Sequence, residues 1–156
     1  MSKGLQPVTV DQLRGELTAA ELAALPGAVT PDATGEQVQT WLSEKLLQAA
    51  DRVVAAINTC PRNEAIKSGL CRVPAACVRT VLVLARHAVI SAIPGMAETL
   101  EGGSRSAEYA TATRDLESLA SCALMPEYSL GADEAVEGGE SGFSVQLGEK
   151  LSNWRW

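Results

Sequence analysis

Large rings are scarce in this chain of 156 residues: three Trp, two Tyr and one Phe. There is a single histidine, His87. No apolar run exceeds five residues, the length of Val81 to Ala85, which is far too short to cross a bilayer. The start, Met1-Ser-Lys-Gly, has no apolar stretch of the kind that heads a secretory signal, so synthesis in a reducing cytosol is expected. No repeat of the length used by solenoids appears. Each absence removes a class. One histidine leaves little for acid–base or metal chemistry. His87 itself lies in an apolar stretch and reads as a packed side chain. Cys77, ten residues before it, is about 15 Å away along a continuous helix and excluded as a nucleophilic partner. No Gly-rich phosphate loop follows a strand. The expectation is no enzyme, no catalytic residues, no metal, no cofactor and no membrane.

What remains is an ordinary apolar content of 46%, carried by Ala, Val and Leu, with 21% charged residues. Such a length makes about one domain with a core of its own. The net charge of −6 is unevenly placed. Residues 1–91 hold nine Lys/Arg and eight Asp/Glu, whereas residues 92–156 hold four and eleven. Within the first part Arg52, Arg62, Lys67, Arg72, Arg79 and Arg86 are opposed only by Glu64. Opposite charges at separate places on one chain suit head-to-tail contact between identical subunits, or sit on solvated faces.

Local signals predict helices throughout. Thr9 or Asp11 caps a short first helix, and Thr18-x-x-Glu21 is a capping box for a second that Pro26-Gly27 should end. Thr34-x-x-Gln37 opens the best amphipathic helix, roughly 35–58, with Val38, Trp41, Leu42, Leu46, Ala49, Val53 and Ile57 on one face. Trp41 is expected in the core. A loop over 59–73 is long enough to be functional or mobile. Pro74 then leads into a helix to Ala92, apolar nearly all round and therefore central. Ser104 or Ser106 should cap a last helix to about Cys122, with Ala107, Ala110, Leu116, Leu119, Ala120 and Ala123 on its apolar side. The cysteines Cys60, Cys71, Cys77 and Cys122 match no zinc spacing. Free thiols are expected, Cys77 and Cys122 in the core, with Cys60 and Cys71 able to pair if oxidised.

The expected fold is thus all-α: a small helical bundle around a central apolar helix over residues 1–126, with an extended C-terminal arm over 127–156. The arm is acidic and Gly-rich through Gly142, where Asp133, Glu134, Glu137 and Glu140 read as solvated linker charge. It then turns apolar at Phe143-Ser-Val-Gln-Leu147, which alternates as a short strand would, and ends in Asn153-Trp-Arg-Trp156. Ordering such a tail gains nothing unless its aromatics dock. Trp and Arg are rich in interface hot spots. Phe143, Val145, Leu147, Trp154, Arg155 and Trp156 are the candidate partner-binding residues of the arm. Arg62, Lys67, Arg72 and Arg79 are candidates to face a partner, a neighbouring subunit or DNA.

The order of these pieces carries a resemblance. Val8-Thr-Val-Asp-Gln-Leu-Arg14 and Glu21-Leu-Ala-Ala-Leu25 precede a long helix with Ala49-Ala-Asp-Arg-Val-Val-Ala-Ala-Ile57. Val73-Pro-Ala-Ala76 opens the apolar helix, and Tyr109-Ala-Thr-Ala-Thr-Arg-Asp-Leu-Glu117 lies in the last one. Over about residues 8–125, plus the character of the tail, this resembles the Mu-type head-to-tail adaptor (connector) proteins of tailed bacteriophages. It departs where Asn58-Thr59-Cys60 stands in place of Gly-Tyr, and where Arg62 and Lys67 load the loop before Arg72. The resemblance implies a structural protein of the virion neck, made in the host cytoplasm. Its copies would form a homo-oligomeric ring, a dodecamer, between the portal protein and a tail or stopper protein, with genomic DNA passing through the channel. The alternative is a small helical nucleic-acid-binding or regulatory module using the basic 59–86 segment.

Overall fold

The computed structural model describes residues 3–136. Among them are five α-helices and one very small sheet, an all-α bundle in the expected class. The helices are α1 (Val10–Gly15), α2 (Ala19–Val29), α3 (Gly35–Thr59), α4 (Val78–Ala92) and α5 (Gly103–Ala120). The strands β1 (Gln6–Pro7) and β2 (Arg72–Val73) pair antiparallel.

Three helix starts follow one rule. Thr9, Thr18 and Thr34 each accept the backbone N–H three residues on, and Gln12, Glu21 and Gln37 each accept the cap's own N–H in return. The first two turns of the chain are thereby punctuated without help from the core. The periodic residues of α3 then do the packing: Val38, Leu42, Leu46, Ala49, Val53 and Ile57 are all buried. Trp41 is half-buried and packs against the core. Helix α4 is central, as its composition requires. Nine of its fifteen residues are buried, from Thr80 to Ile90. It packs against both α3 and α5, which also pack on each other. By length and hydropathy, residues 75–92 would suffice to cross a membrane; here more than half of that stretch is inside the bundle.

Several expectations are corrected. Helix α2 does not end at Pro26 but runs through it to Val29. The proline forfeits one bond in the ladder. Buried Leu25, with Ala28 and Val29 packed on the core, still holds the last turn, and Thr30 N–H closes on the Pro26 carbonyl. The approach to α4 is a 3₁₀ turn over Ala75–Cys77 that follows Pro74, and α4 proper begins at Val78. Neither Ser104 nor Ser106 caps α5. Gly102 does, at φ +78°, and Gly103 at φ +68° begins the helix in a backbone that only glycine adopts freely. Ala112, Leu116 and Leu119 face the core, while Ala107, Ala110 and Ala123 are exposed.

The cysteines do not all remain free. Cys60, fully buried at the end of α3, is bonded to Cys122, just past α5, across a sequence separation of 62. Cys71 and Cys77 are free. The expected Cys60–Cys71 alternative fails because Cys71 turns back to β1, where its thiol meets the Val8 carbonyl.

Candidate functional site

The 59–73 loop is not a loose excursion. Asn58 accepts the Ile66 N–H and donates to the Ile66 carbonyl, clamping the loop to the end of α3. Asn63 donates to the Ile57 carbonyl, and the Gly69 N–H donates to Asp51. Buried Ile66 is the apolar pin. The chain beyond α5 then crosses this loop. Ser129 N–H donates to the Lys3 carbonyl, Lys67 N–H to the Glu134 carbonyl, and Tyr128 Oη to the Glu64 carbonyl. Ile66 and Ala135 form an antiparallel bridge. Burial, with Glu64 and Cys77 adding to it, pushes the Tyr128 hydroxyl up to about 12, so it stays a donor. Loop and strap form one platform, and the Cys60–Cys122 bond ties their bases together.

Three of the four basic candidates lie on that platform. Arg62 and Lys67 are exposed. Arg72 donates to the Leu5 carbonyl and pairs with Glu134 at 3.5 Å, yet its side chain keeps 44% exposure. Arg79 lies apart from them on α4, with 54% of its side chain exposed. It bonds Glu16 at 2.6 Å and Glu108 at 2.8 Å. Arg86 grips the same two carboxylates from inside, at 3.3 and 2.6 Å, with only 6% of its side chain exposed. The four charges close a ring that links the end of α1 to α4 and α5. A second pair, Arg105 with buried Glu21, links α5 to α2. Burial pulls the Glu21 carboxyl upward, but its bonds to Arg105 and Thr18 outweigh this and hold it below the usual value. The Arg86 hydrogen bond, with Arg79 assisting, likewise holds Glu108 low.

His87 stacks on Tyr109 with ring centroids 3.6 Å apart. Burial, then Arg52 and Arg86, push its pKa down. Cys77 is pushed up to about 11 by burial, with Asp115 adding to it. A neutral imidazole and a protonated thiol fit packing roles. Among the described residues, no three His, Cys, Asp or Glu side chains gather as a metal site would need.

A further feature lies at the other end of α3. Val29, Thr34, Glu36, Gln37, Thr40, Trp41 and Glu44 line an open concavity of about 510 Å³. Glu36, Thr40 and Glu44 recur every four residues, so they share one helix row, and Gln37 and Trp41 form the next. That row is legible in hindsight; reading Trp41 as simple core hid it. Lys45 sits 5.6 Å from the Trp41 ring centre.

The arm candidates Phe143, Val145, Leu147, Trp154, Arg155 and Trp156 lie outside the described residues. No family model matches the chain, and no curated protein or solved structure does.

Proposed function

We propose that this chain is a structural subunit of a phage neck, a connector that assembles head to tail into a ring between portal and tail, with DNA passing through its lumen. The observation that carries the reading is the separation of charge along α3. This helix has 25 residues and is about 37 Å long. Exposed Asp32, Glu36 and Glu44 stand at its start. Toward its end the surface is different: Arg52, Arg62, Lys67 and Arg72 are exposed there, among exposed Glu64, Glu127 and Asp133, and Arg72 pairs with Glu134. A rigid body with unlike ends favours a heterologous contact, which closes into a ring when the rotation allows. The inner ion pairs support this division of labour: they bury Arg86 in holding the subunit together, with Arg79 on their outer side, while Arg62 and Lys67 stay exposed on the platform.

The resemblance in the order of the helices supports the same reading, and the sequence of the arm fits a segment that orders on docking. The test is the solution mass of the full chain, alone and mixed with an isolated portal ring. Assembly into a ring, or capture by the portal, is expected. A monomer that ignores the portal but binds duplex DNA with steep salt dependence would transfer the platform to the nucleic-acid reading.

A further inference from the structure

We infer that the concavity around Trp41 receives the Asn153-Trp-Arg-Trp156 segment of a second copy of the chain. This inference rests on the ring reading and names the contact that would close it.

The groove has the chemistry for that segment. Its wall is one half-buried indole, Trp41, with Val29 beside it. Its rim carries two exposed carboxylates, Glu36 and Glu44, two turns apart on the same row. An indole, a guanidinium and a second indole in succession answer those features: Trp154 and Trp156 as rings to pack on Trp41, and Arg155 as the planar cation between the carboxylates. Thr40 and Gln37 supply polar groups that an indole N–H can reach. Two other hollows at the surface lack an aromatic wall: one between Ala75, Ala76, Leu124 and Met125 has a mixed rim of Lys3 and Glu127, and one between Val83, Ala107 and Ala112 has Arg79 beside Glu108 and Asp115.

The head-to-tail reading assigns the segment to a second copy, and the chain's own tail is the occupant the test must exclude. The last described residue, Val136, follows the Ile66–Ala135 bridge, which is at the end of α3. The centre of the groove, at Thr40 and Trp41, is about 26 Å of helix from Asn58, which clamps Ile66. Trp154 lies eighteen residues beyond Val136. A Gly-rich chain of that length spans about 25 Å on average, so its own groove and a neighbour's are both within reach. In a head-to-tail ring the acidic end of the next copy meets the tail.

Charge reversal in the full chain tests the contact. Glu36→Lys with Glu44→Lys should weaken self-association at least about tenfold, and Arg155→Glu should do the same. Combining all three in one chain should return it to within about threefold of the parent, because the ion pairs are restored with opposite sign. A second arm separates a neighbour's tail from the chain's own. A Trp154→Ala, Trp156→Ala chain retains an intact groove, and the Glu36→Lys, Glu44→Lys chain retains an intact tail. Mixed, these two should form a one-to-one complex that neither forms alone. If the parent assembles and the reversals leave its mass unchanged, or the combination fails to rescue, the groove inference is overturned and the ring reading stands. If the mixture stays monomeric while each reversal alters Trp fluorescence in the monomer, the tail binds its own groove and the second-copy inference is overturned. If the parent never assembles, alone or on a portal ring, both fall.

Discussion

Arg79 and Arg86 on α4, Arg62 on the loop before it and Arg72 on β2 belong to one basic stretch of sequence, yet Arg86 and Arg62 end in opposite situations. Arg79 and Arg86 share Glu16 and Glu108 in a closed set of ion pairs, with Arg86 buried and Arg79 on the outside at 54% exposure. Arg62 is exposed, and Arg72, paired with Glu134, keeps 44% of its side chain in solvent. The difference lies in partners contributed by remote segments. Glu16 is 63 residues from Arg79, and Glu108 is 29 away. A cation on a buried helix must find a carboxylate or leave the core. A cation on a loop pinned by its backbone has no such demand and is available for contacts. Charge counting along the chain treats the two alike; the fold does not.

The largest expected effect comes from the covalent tie beneath the platform. Opening Cys60–Cys122 with a reductant, or replacing both residues with serine, releases a cross-link that spans 62 residues. By the chain-entropy account this lowers unfolding free energy by about 4 kcal/mol. Urea unfolding with and without reductant measures it, and an unchanged midpoint would show that the bond does not form in solution. Next is the inner network. Arg86→Ala removes a buried side chain and two of the four ion pairs, leaving Glu16 and Glu108 to Arg79 alone, and should cost about 2 kcal/mol in the same assay. Arg62→Ala, by contrast, should stay within about 0.5 kcal/mol. Equal costs for the two would erase the distinction drawn between these groups.

Between those extremes lies acid sensitivity. Glu21 and Glu108 both have folded pKa values below the ordinary 4.5. A depressed carboxylate contributes stability above its unfolded value and loses that contribution as pH falls through the folded one. Unfolding free energy should therefore drop below about pH 4.5. Glu21→Gln should be weaker by about 1–2 kcal/mol at neutral pH and show a shallower acid decline. A variant whose pH profile parallels the parent's would remove the Arg105–Glu21 pair from the account.

Much of the fold was legible because it is local. The three Thr-x-x-Gln or Thr-x-x-Glu boxes and the spacing of Val38, Leu42, Leu46, Val53 and Ile57 specify helix starts and a buried face without reference to anything distant. The misjudged features depend on tertiary context. Pro26 is tolerated because Leu25 is already anchored. Gly102 precedes α5 because the turn requires positive φ, which outranks a serine cap. Cys60 finds Cys122 only once α3 and α5 lie side by side. The candidate site divides in the same way. Arg62, Lys67, Arg72 and Arg79 are identifiable as exposed cations, the carboxylates that hold Arg79 come from remote segments, and the Glu36–Thr40–Glu44 row beside Trp41 is legible in its four-residue spacing.

The central claim is that unlike ends of one rigid subunit join to make a ring. Electron micrographs of the full chain mixed with isolated portal rings test it most directly. The account predicts a second annulus, coaxial with the portal, that is lost when Glu36 and Glu44 are both changed to lysine. Portal rings with no added density, over a chain that remains monomeric at high concentration, would contradict it.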